Sequence, residues 1–351
     1  MKEGYIPKDQ RKKILLITDD IRMHSGVGSV GRELVLHTAH HFNWVNLGGA
    51  INHPDKGKRF DLSQETDKQM GLEDSSVFVY PIEGYSNAEF LRNIINMEQP
   101  DAIFLITDPR YFVWLFEIEN EIRARIPIVY LNIWDDLPAP LYNRPYYESC
   151  DALLAISKQT KNINELVLGE GVKNKIIEYV PHGINTDVFF PVDKEDQEYQ
   201  EFIKKITKGR EYDFVMFFNS RNIRRKQIQD ALLSFKLFLD TLPKEKAEKC
   251  LFLLNTQPID ENGTDLFAVI EYFFGKDTKN ILISGSSLAA KHLNYLYNYA
   301  DVQILTSSAE GWGLSLTEAL VTGTPIIGNV TGGIQDQMRF EDENGNWINF
   351  S

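Results

Sequence analysis

Short apolar runs alternate with amphipathic stretches along most of the chain, and this alternation is the strongest constraint on the fold. The runs at 102–107 and 152–156 are almost continuously apolar, which is typical of parallel strands that are buried on both faces of a sheet. Stretches with helical periodicity, such as residues 158–168, separate such runs. The order of these elements predicts an α/β fold with doubly wound parallel sheets.

A charged segment divides the alternation into two sets. Predicted strands run from residue 13 to 179, residues 192–210 are rich in charge, and the alternation resumes from residue 214 to 328. A chain of 351 residues also exceeds what one hydrophobic core usually supports. We therefore predict two Rossmann-like domains facing a cleft, residues 1–190 and 191–351, with ligands at the carboxyl ends of the strands. The polar segment 51–71 is predicted to be loop-like.

The charge and cysteine content narrow the classes of function. A net charge of −13 argues against a general nucleic-acid binder, which needs a basic face. Cys150 and Cys250 are too few for a disulfide framework and have no metal-ligand spacing. The chain has no signal-peptide pattern and no apolar run near the roughly 20 residues that span a bilayer. We predict a cytoplasmic protein with at most peripheral membrane contact and no metal site.

Two strand-to-helix loops carry residues that suit phosphate groups. In "SGVGSVGREL", Gly26 and Gly28 open a helix and would let backbone N–H groups approach an anion, although the same glycines also fit a tight turn that packs a helix. In "NSRNIRRKQ", Arg221 and Lys226 bracket two further arginines in an otherwise acidic chain. Such a loop suits a diphosphate, and its alternative interpretation is a solvated charge cluster.

A third segment, residues 307–333, combines two acids with a glycine turn before a predicted helix. Glu310 precedes Gly311 and Gly313, the helix begins near Leu314, and Glu318 lies one turn into it. The helix N-terminus offers free N–H groups, and a carboxylate can accept hydrogen bonds from adjacent sugar hydroxyls. Taken singly, these acids also fit a loop acid and a helix-surface acid.

Several of these segments resemble glycosyltransferase family 4. The segments "PHGINTDVFFP", "SRNIRRKQ" and "LYNYADVQILTSSAEGWGLSLTEALVTGTPII", with the following "TGG", stand in that family's order and at its spacings, most densely over residues 176–334. The resemblance implies a GT-B fold and retaining transfer of a sugar from a UDP- or GDP-sugar to a hydroxyl of a glycan, lipid-linked or other acceptor. It implies neither a bound metal nor a cofactor.

The resemblance also implies roles for individual residues. Arg221 and Lys226 would neutralise the donor diphosphate, Glu310 would contact the donor sugar, and Glu318 would hold the ribose hydroxyls. Backbone groups would contact the rest of the donor: those of Gly311, Gly313 and Leu314 in the glycine turn, those of Gly26 and Gly28 from across the cleft, and those around Gly285 and Ser286 near the base.

The sequence departs from the family at two places. The family commonly has a histidine after the strand at 128–133, where this chain has Trp134 and Asp135. These residues could bind an acceptor, or they could be a packing tryptophan and a helix-capping acid. The chain ends at Ser351, whereas relatives usually continue through several more helices, so we expect a C-terminally short form or a fragment.

Three other functions remain open from the sequence. The chain could be a GT-B enzyme of another class, such as a sugar-nucleotide epimerase or a phosphorylase. The phosphorylase is disfavoured, because the chain shows no lysine in a cofactor-anchoring motif. It could also be a catalytically silent sugar-nucleotide-binding protein. The third possibility is an interaction subunit that shares only the fold.

Overall fold

The computed structural model describes residues 4–23, 25–276, 278–285, 288–338 and 340–348. It divides the chain into two compact units, Met1–His182 and Gly183–Ser351. The sequence prediction placed the boundary after residue 190, inside the second of these units. No helix among the described residues is both long enough and apolar enough to cross a bilayer.

The first unit is built on a sheet whose described strands number eight. Its order is β3-β4-β2-β1-β5-β6-β7-β8, and every neighbouring pair is parallel except β3 and β4. The strands are β1 (Lys12–Asp19), β2 (Phe42–Gly49), β3 (Phe60–Asp61), β4 (Val77–Pro81), β5 (Ala102–Ile106), β6 (Ile128–Asn132), β7 (Ala152–Ala155) and β8 (Ile176–Tyr179).

Helices cover this sheet and bury its apolar strands. They are α1 (Gly26–Thr38), α2 (Ser63–Met70), α3 (Ala88–Glu98), α4 (Val113–Phe116), α5 (Glu119–Arg123), α6 (Arg144–Glu148) and α7 (Lys158–Leu168). Leu15, Leu105 and Tyr130 are completely buried between the layers. Continuous apolar strands therefore do lie inside the unit, as their composition predicted.

The segment 51–71 was predicted to be loop-like, and this prediction was wrong in part. It contains β3, which pairs antiparallel with β4 at the sheet edge, and α2, which ends at Gly71 in the left-handed conformation. Thr66 is the buried residue of α2, so the helix lies on the surface. A surface helix of polar residues lacks the apolar periodicity that identifies helices from sequence.

The second unit has a parallel sheet of five described strands in the order β11-β10-β9-β12-β13. These are β9 (Phe214–Asn219), β10 (Cys250–Asn255), β11 (Ile281–Ile283), β12 (Val302–Leu305) and β13 (Ile326–Gly328), and a short hairpin, β14 (Phe340–Glu341) and β15 (Trp347–Ile348), follows. The helices are α8 (Gln197–Ile206), α9 (Ile228–Asp240), α10 (Lys244–Ala247), α11 (Leu266–Phe274), α12 (Ala290–Tyr299), α13 (Leu314–Val321) and α14 (Ile334–Met338).

Both sheets reverse their winding direction beside their first strand. In the second unit the chain adds β10 and β11 on one side of β9, and then β12 and β13 on the other. In the first unit β1 lies in the same way between β2 and β5. Ligands of open α/β sheets bind outside the carboxyl ends of the strands at such a switch point. The loops that follow β9 and β12 are therefore where a ligand of the second unit is expected.

Candidate functional site

The loops after β9 and β12 are held together at the switch point. The backbone N–H of Ser308 donates to the carbonyl of Arg225 over 2.8 Å, and the hydroxyl of Thr306 donates to the carbonyl of Lys226 over 3.1 Å. Residues Arg224–Lys226 form a turn of 3-10 helix that leads into α9. The basic loop and the glycine turn predicted from sequence are thus neighbours in the fold.

Two cations converge on a buried carboxylate between these loops. The ammonium group of Lys226 pairs with Oε1 of Glu310, and Nη1 of Arg225 lies 3.1 Å from its Oε2. The hydroxyl of Ser307 also donates to Oε1 over 2.6 Å. Burial raises the pKa of Glu310, but the charges of Lys226 and Arg225 outweigh burial and hold this pKa below its usual value. Glu310 is therefore an ionised carboxylate fixed between cations.

Arg221 lies on the same loop but is engaged elsewhere. Its Nε is 2.7 Å from Oδ2 of Asp260, which lies in the loop after β10, and its side chain is 61% exposed. The hydrogen bond that Arg221 donates to Asp260 raises the pKa of the guanidinium. Of the three residues predicted to be catalytic, Lys226 and Glu310 are in contact, whereas Arg221 is paired with an acid that the sequence did not single out.

The glycine turn before α13 has the backbone geometry expected for an anion-binding helix start. Gly313 is the N-terminal cap residue of α13 and has a φ of +88°, which favours glycine. No side chain caps this end of the helix in the described structure, so the N–H groups of Leu314 and Ser315 are presented to the loop, whereas the N–H of Leu316 donates to the carbonyl of Gly313. These groups carry the positive end of the helix dipole.

The "TGG" segment packs directly against this turn. A Cβ atom on Gly332 would lie 1.8 Å from the carbonyl oxygen of Glu310, and one on Gly333 would lie 2.4 Å from that of Gly311. The N–H of Gly333 donates to the carbonyl of Glu310 over 3.0 Å. The two glycines therefore permit a backbone contact that fixes the position of Glu310.

A ring of three hydrogen bonds also holds the turn. The indole N–H of Trp312 donates to the hydroxyl of Thr317 over 2.9 Å, and this hydroxyl donates to Oε1 of Gln337 over 2.9 Å. Nε2 of Gln337 donates to the carbonyl of Trp312 over 2.6 Å, which closes the ring. Because Thr317 lies on α13 and Gln337 on α14, the ring ties the turn to both helices.

Glu318 is bound to a buried tyrosine. The hydroxyl of Tyr297, on α12, donates to its Oε2 over 2.5 Å. Burial raises the pKa of Glu318 to about 7, and the hydrogen bond from Tyr297 opposes this rise. Nδ2 of Asn219 donates to the same tyrosine hydroxyl over 2.7 Å, so Tyr297 is held from both sides. Glu318 is thus a carboxyl poised between its two protonation states near neutral pH.

Gly285 follows β11 with a φ of +87°, at the same edge of the sheet. Ser286, which the resemblance places near the base, lies outside the described residues. No group of three His, Cys, Asp or Glu side chains that could hold a metal ion is found among the residues that the structure describes.

The glycine loop of the first unit is a tight turn at the start of α1. A Cβ atom on Gly28 would lie 2.9 Å from Oγ of Ser25 and 3.1 Å from the carbonyl of Asp20, whereas one on Gly26 would meet nothing within 4 Å. Ser25 caps the helix by accepting a hydrogen bond from the N–H of Gly28. Gly28 therefore has a packing reason to be glycine, and its predicted contact with a donor stays a prediction.

Trp134 and Asp135 line a cavity of about 340 Å³ at the carboxyl ends of β5 and β6. The indole N–H of Trp134 donates to the carbonyl of Asp136 over 3.0 Å, and the guanidinium of Arg110 lies 5.7 Å from the centre of its ring. Arg110 also pairs with Asp108. The cavity offers an aromatic wall with polar groups around it, and its occupant stays a prediction.

Sequence reasoning missed several residues of the site. Arg225 was noted only as part of a basic run, and Asp260 and Tyr297 were not considered. Asn219 and Asn255 each end an apolar strand, in "FFNS" and "LLNT", and two polar residues at neighbouring strand ends were a usable signal. The partners themselves come from distant parts of the chain, which no local pattern predicts.

Part of the second unit is similar to a known protein family. Residues 278–351 match the family described as glycosyl transferases group 1. This stretch contains the glycine turn, Glu310, Glu318 and Tyr297. The matched region is the last part of the second unit, so the family similarity does not extend to Arg221, Arg225 or Lys226.

Two curated proteins are similar over part of their length. A probable sucrose-phosphate synthase of Thermosipho melanesiensis is 24% identical over 162 residues, which are 46% of this chain and 34% of that protein. A mannosylfructose-phosphate synthase of Agrobacterium fabrum is 25% identical over 191 residues, 54% of this chain and 39% of that protein. The alignments thus span about a third to two fifths of these relatives.

A solved structure is similar over nearly the whole chain. The sucrose-phosphate synthase of Thermosynechococcus elongatus superposes with a TM-score of 0.67 and 16% identity, covering 93% of this chain and 83% of that one. At this identity the likeness concerns the fold alone. The predicted α/β class and the GT-B fold are confirmed.

Proposed function

We propose that this protein is a retaining glycosyltransferase that moves a sugar from a UDP- or GDP-linked donor to an acceptor hydroxyl without a metal ion. The observation that carries the proposal is the contact of Lys226 and Arg225 with Glu310 beside the uncapped start of α13, at the switch point of the second sheet. The group 1 match over residues 278–351 and the fold likeness support a glycosyltransferase.

The cations would act on the leaving group. Cleavage of the anomeric bond places negative charge on the departing diphosphate, and fixed cations and N–H groups that face this charge lower the barrier. Lys226 would contribute its ammonium group, α13 its first N–H groups, and Arg221 its guanidinium after leaving Asp260. Cations in these places would do what a magnesium ion does in other transferases, so we propose that no metal is required.

The acids and glycines would position the donor. Glu310 would accept hydrogen bonds from the sugar, Glu318 would accept them from the ribose hydroxyls, and the backbone at Gly285 would border the base. The departing phosphate oxygen would take the proton of the acceptor hydroxyl on the same face of the sugar, which accounts for retention. A protein general base is then unnecessary.

We propose the cavity at Trp134 and Asp135 as the acceptor side. A tryptophan face suits the apolar face of a sugar ring, and carboxylates suit its hydroxyls. The names of both curated relatives describe products that carry a phosphate, so sugar phosphates belong among the acceptors to be tested.

Incubation with labelled UDP- and GDP-sugars tests the proposal, because slow hydrolysis of the donor reports an intact reaction centre even without an acceptor. Lys226→Ala, Glu310→Ala and Arg221→Ala should each lower this rate by about 10²–10³, the usual cost of removing one such electrostatic contact. Lys249→Ala is the control, because Lys249 precedes β10 at the opposite edge of the sheet and pairs with Asp213. Rates like the wild type in all three site variants would refute the assignment.

A second candidate is a sugar-nucleotide-binding protein without turnover. The pairing of Arg221 with Asp260 favours it, because this cation must exchange its partner before it can contact a diphosphate. Calorimetric binding of a UDP- or GDP-sugar without any release of free sugar over long incubation would support this candidate. Release of sugar with retained configuration would support the transferase.

A further inference from the structure

A chain of hydrogen bonds crosses the carboxyl edge of the second sheet and ends on Glu318. The hydroxyl of Ser284 donates to Oδ1 of Asn255 over 3.0 Å, and Nδ2 of Asn255 donates to Oδ1 of Asn219 over 2.9 Å. Nδ2 of Asn219 donates to the hydroxyl of Tyr297 over 2.7 Å, and this hydroxyl donates to Glu318 over 2.5 Å. Ser284, Asn255 and Asn219 follow or end the three neighbouring strands β11, β10 and β9.

Every donor in this series of hydrogen bonds points toward the carboxylate of Glu318. Each amide accepts at its oxygen and donates from its nitrogen, and the tyrosine accepts from Asn219 and donates to Glu318. Hydrogen bonds aligned in this way polarise one another, so each link strengthens the next. Because all of these hydrogen bonds donate in the same direction, together they stabilise a negative charge on Glu318. Tyr297 is completely buried and its ring packs between Phe189 and Phe217, so its hydroxyl has a fixed position.

This series of hydrogen bonds occupies one carboxylate oxygen of Glu318 and leaves the other oxygen available. Tyr297 bonds to Oε2, and in the described part of the protein Oε1 accepts no hydrogen bond from a side chain. A carboxylate with one oxygen fixed by an internal donor has a defined orientation and can present its second oxygen to two adjacent hydroxyls.

We propose that Tyr297, held by Asn219 and Asn255, is a positioning residue for the donor site: it orients Glu318 and favours its carboxylate form for the vicinal hydroxyls of the donor's ribose. This inference rests on the function proposed above. It assigns to Tyr297, Asn219, Asn255 and Ser284 a role in nucleotide affinity that acts through the position and charge of Glu318.

A pH dependence of donor binding follows from this arrangement. Burial raises the pKa of Glu318 to about 7, and Tyr297 is the group that lowers it. Of the elements packed against α13, β12 and β13 carry no charged side chain, and α14 carries Asp336. On α12, Lys291 pairs with Glu198 and His292 stacks on Phe202; the remaining titratable groups of α12 are Tyr295, Tyr297 and Tyr299.

The test is calorimetric titration of the full chain with UDP-glucose and with GDP-mannose between about pH 5.5 and 8.5, a range in which both diphosphate diesters keep a constant charge. Wild-type affinity should fall as the pH is lowered through about 7. In Tyr297→Phe the loss of one hydrogen bond to a charged group should move this fall upward by about one pH unit. Near pH 7 the variant should then bind roughly five-fold more weakly, and near pH 8.5 the difference should shrink.

Matched variants distinguish a positioning role of Tyr297 from a role in packing alone. Tyr299→Phe removes a hydroxyl from the same helix and should follow the wild type, whereas Asn219→Ala should shift the profile in the direction of Tyr297→Phe. Glu318→Gln should bind weakly without a step near neutral pH. A Tyr297→Phe profile that superposes on the wild type, or that is weaker by the same factor at every pH, overturns the inference.

The outcome also distinguishes this inference from the function beneath it. If the wild-type chain binds neither probe at any pH, the proposed donor site is wrong and the positioning role is wrong with it. If the wild type binds a probe and Tyr297→Phe is unchanged, the donor site stands and only the role of Tyr297 is refuted.

Discussion

Glu318 is a carboxyl whose surroundings oppose its ionisation. Its pKa in the folded protein is about 7 because it is buried, against 4.5 for an ordinary glutamate. Between these two values the folded state keeps a proton that the unfolded state has released. The free energy of unfolding should therefore fall as the pH rises from about 4.5 to 7, by about 1–3 kcal/mol.

The variant Glu318→Gln should lack this contribution. We expect its stability relative to the wild type to be higher near pH 8 than near pH 5, as measured by urea unfolding at both values. The exposed Glu65, on α2, provides the control Glu65→Gln. An equal difference at the two pH values would contradict the prediction. A binding site that costs stability at neutral pH is what a functional carboxylate should show.

At the scale of single residues, the sequence predicted side chains but not their partners. Lys226 and Glu310 were both identified, and they do meet because their loops follow adjacent strands β9 and β12. The pairing of Arg221 with Asp260 could not be predicted, since the acid comes from a loop after a third strand. Contacts between loops depend on the order of strands in the sheet, and this order cannot be read from the sequence.

At the scale of elements, strands and the helices beside them were predicted well. Buried parallel strands are recognised by continuous apolar runs, and the bounds of α7 agree with the periodicity at 158–168. The stretch 111–125 also has the periodicity of one helix, but in the structure it is broken into short pieces, Pro109–Phe112, α4 and α5. α2 was missed because its single buried residue leaves no apolar stripe.

The start of α13 depends on the left-handed conformation of Gly313. Gly313→Ala should destabilise the protein by about 1–2 kcal/mol, because a Cβ atom is strained at this φ and would lie 3.3 Å from Ile334. Urea unfolding measures the loss, and donor hydrolysis should fall with it as the first N–H groups of the helix move.

Gly26→Ala is the matched control for this prediction. Gly26 also begins a helix, α1, but its φ is not positive and a Cβ atom there would meet no neighbour. Its stability should be unchanged or slightly higher. If the two variants had the same stability, the turn at Gly313 would not be the constraint that its geometry indicates.

At the scale of the whole molecule, the proposal assigns the neutralisation of the diphosphate to protein cations. Turnover of the donor should then be unchanged by excess EDTA and not raised by added magnesium, because Lys226, Arg221 and the α13 terminus take the place of a metal. Initial rates with and without chelator measure this. A loss of rate on chelation that magnesium restores would contradict the proposed mechanism, while leaving the fold and the loops as they are.

The cations of the candidate donor site are paired with acids of the same unit. Asp260 faces Arg221, and Glu310 faces Lys226 and Arg225, so under the proposed function an incoming diphosphate would replace these acids instead of meeting unpaired positive charge. Donor binding would then exchange the carboxylates for the diphosphate, and the number of ion pairs would change little. The affinity for the donor should therefore depend less steeply on ionic strength than the affinity of an open basic loop would.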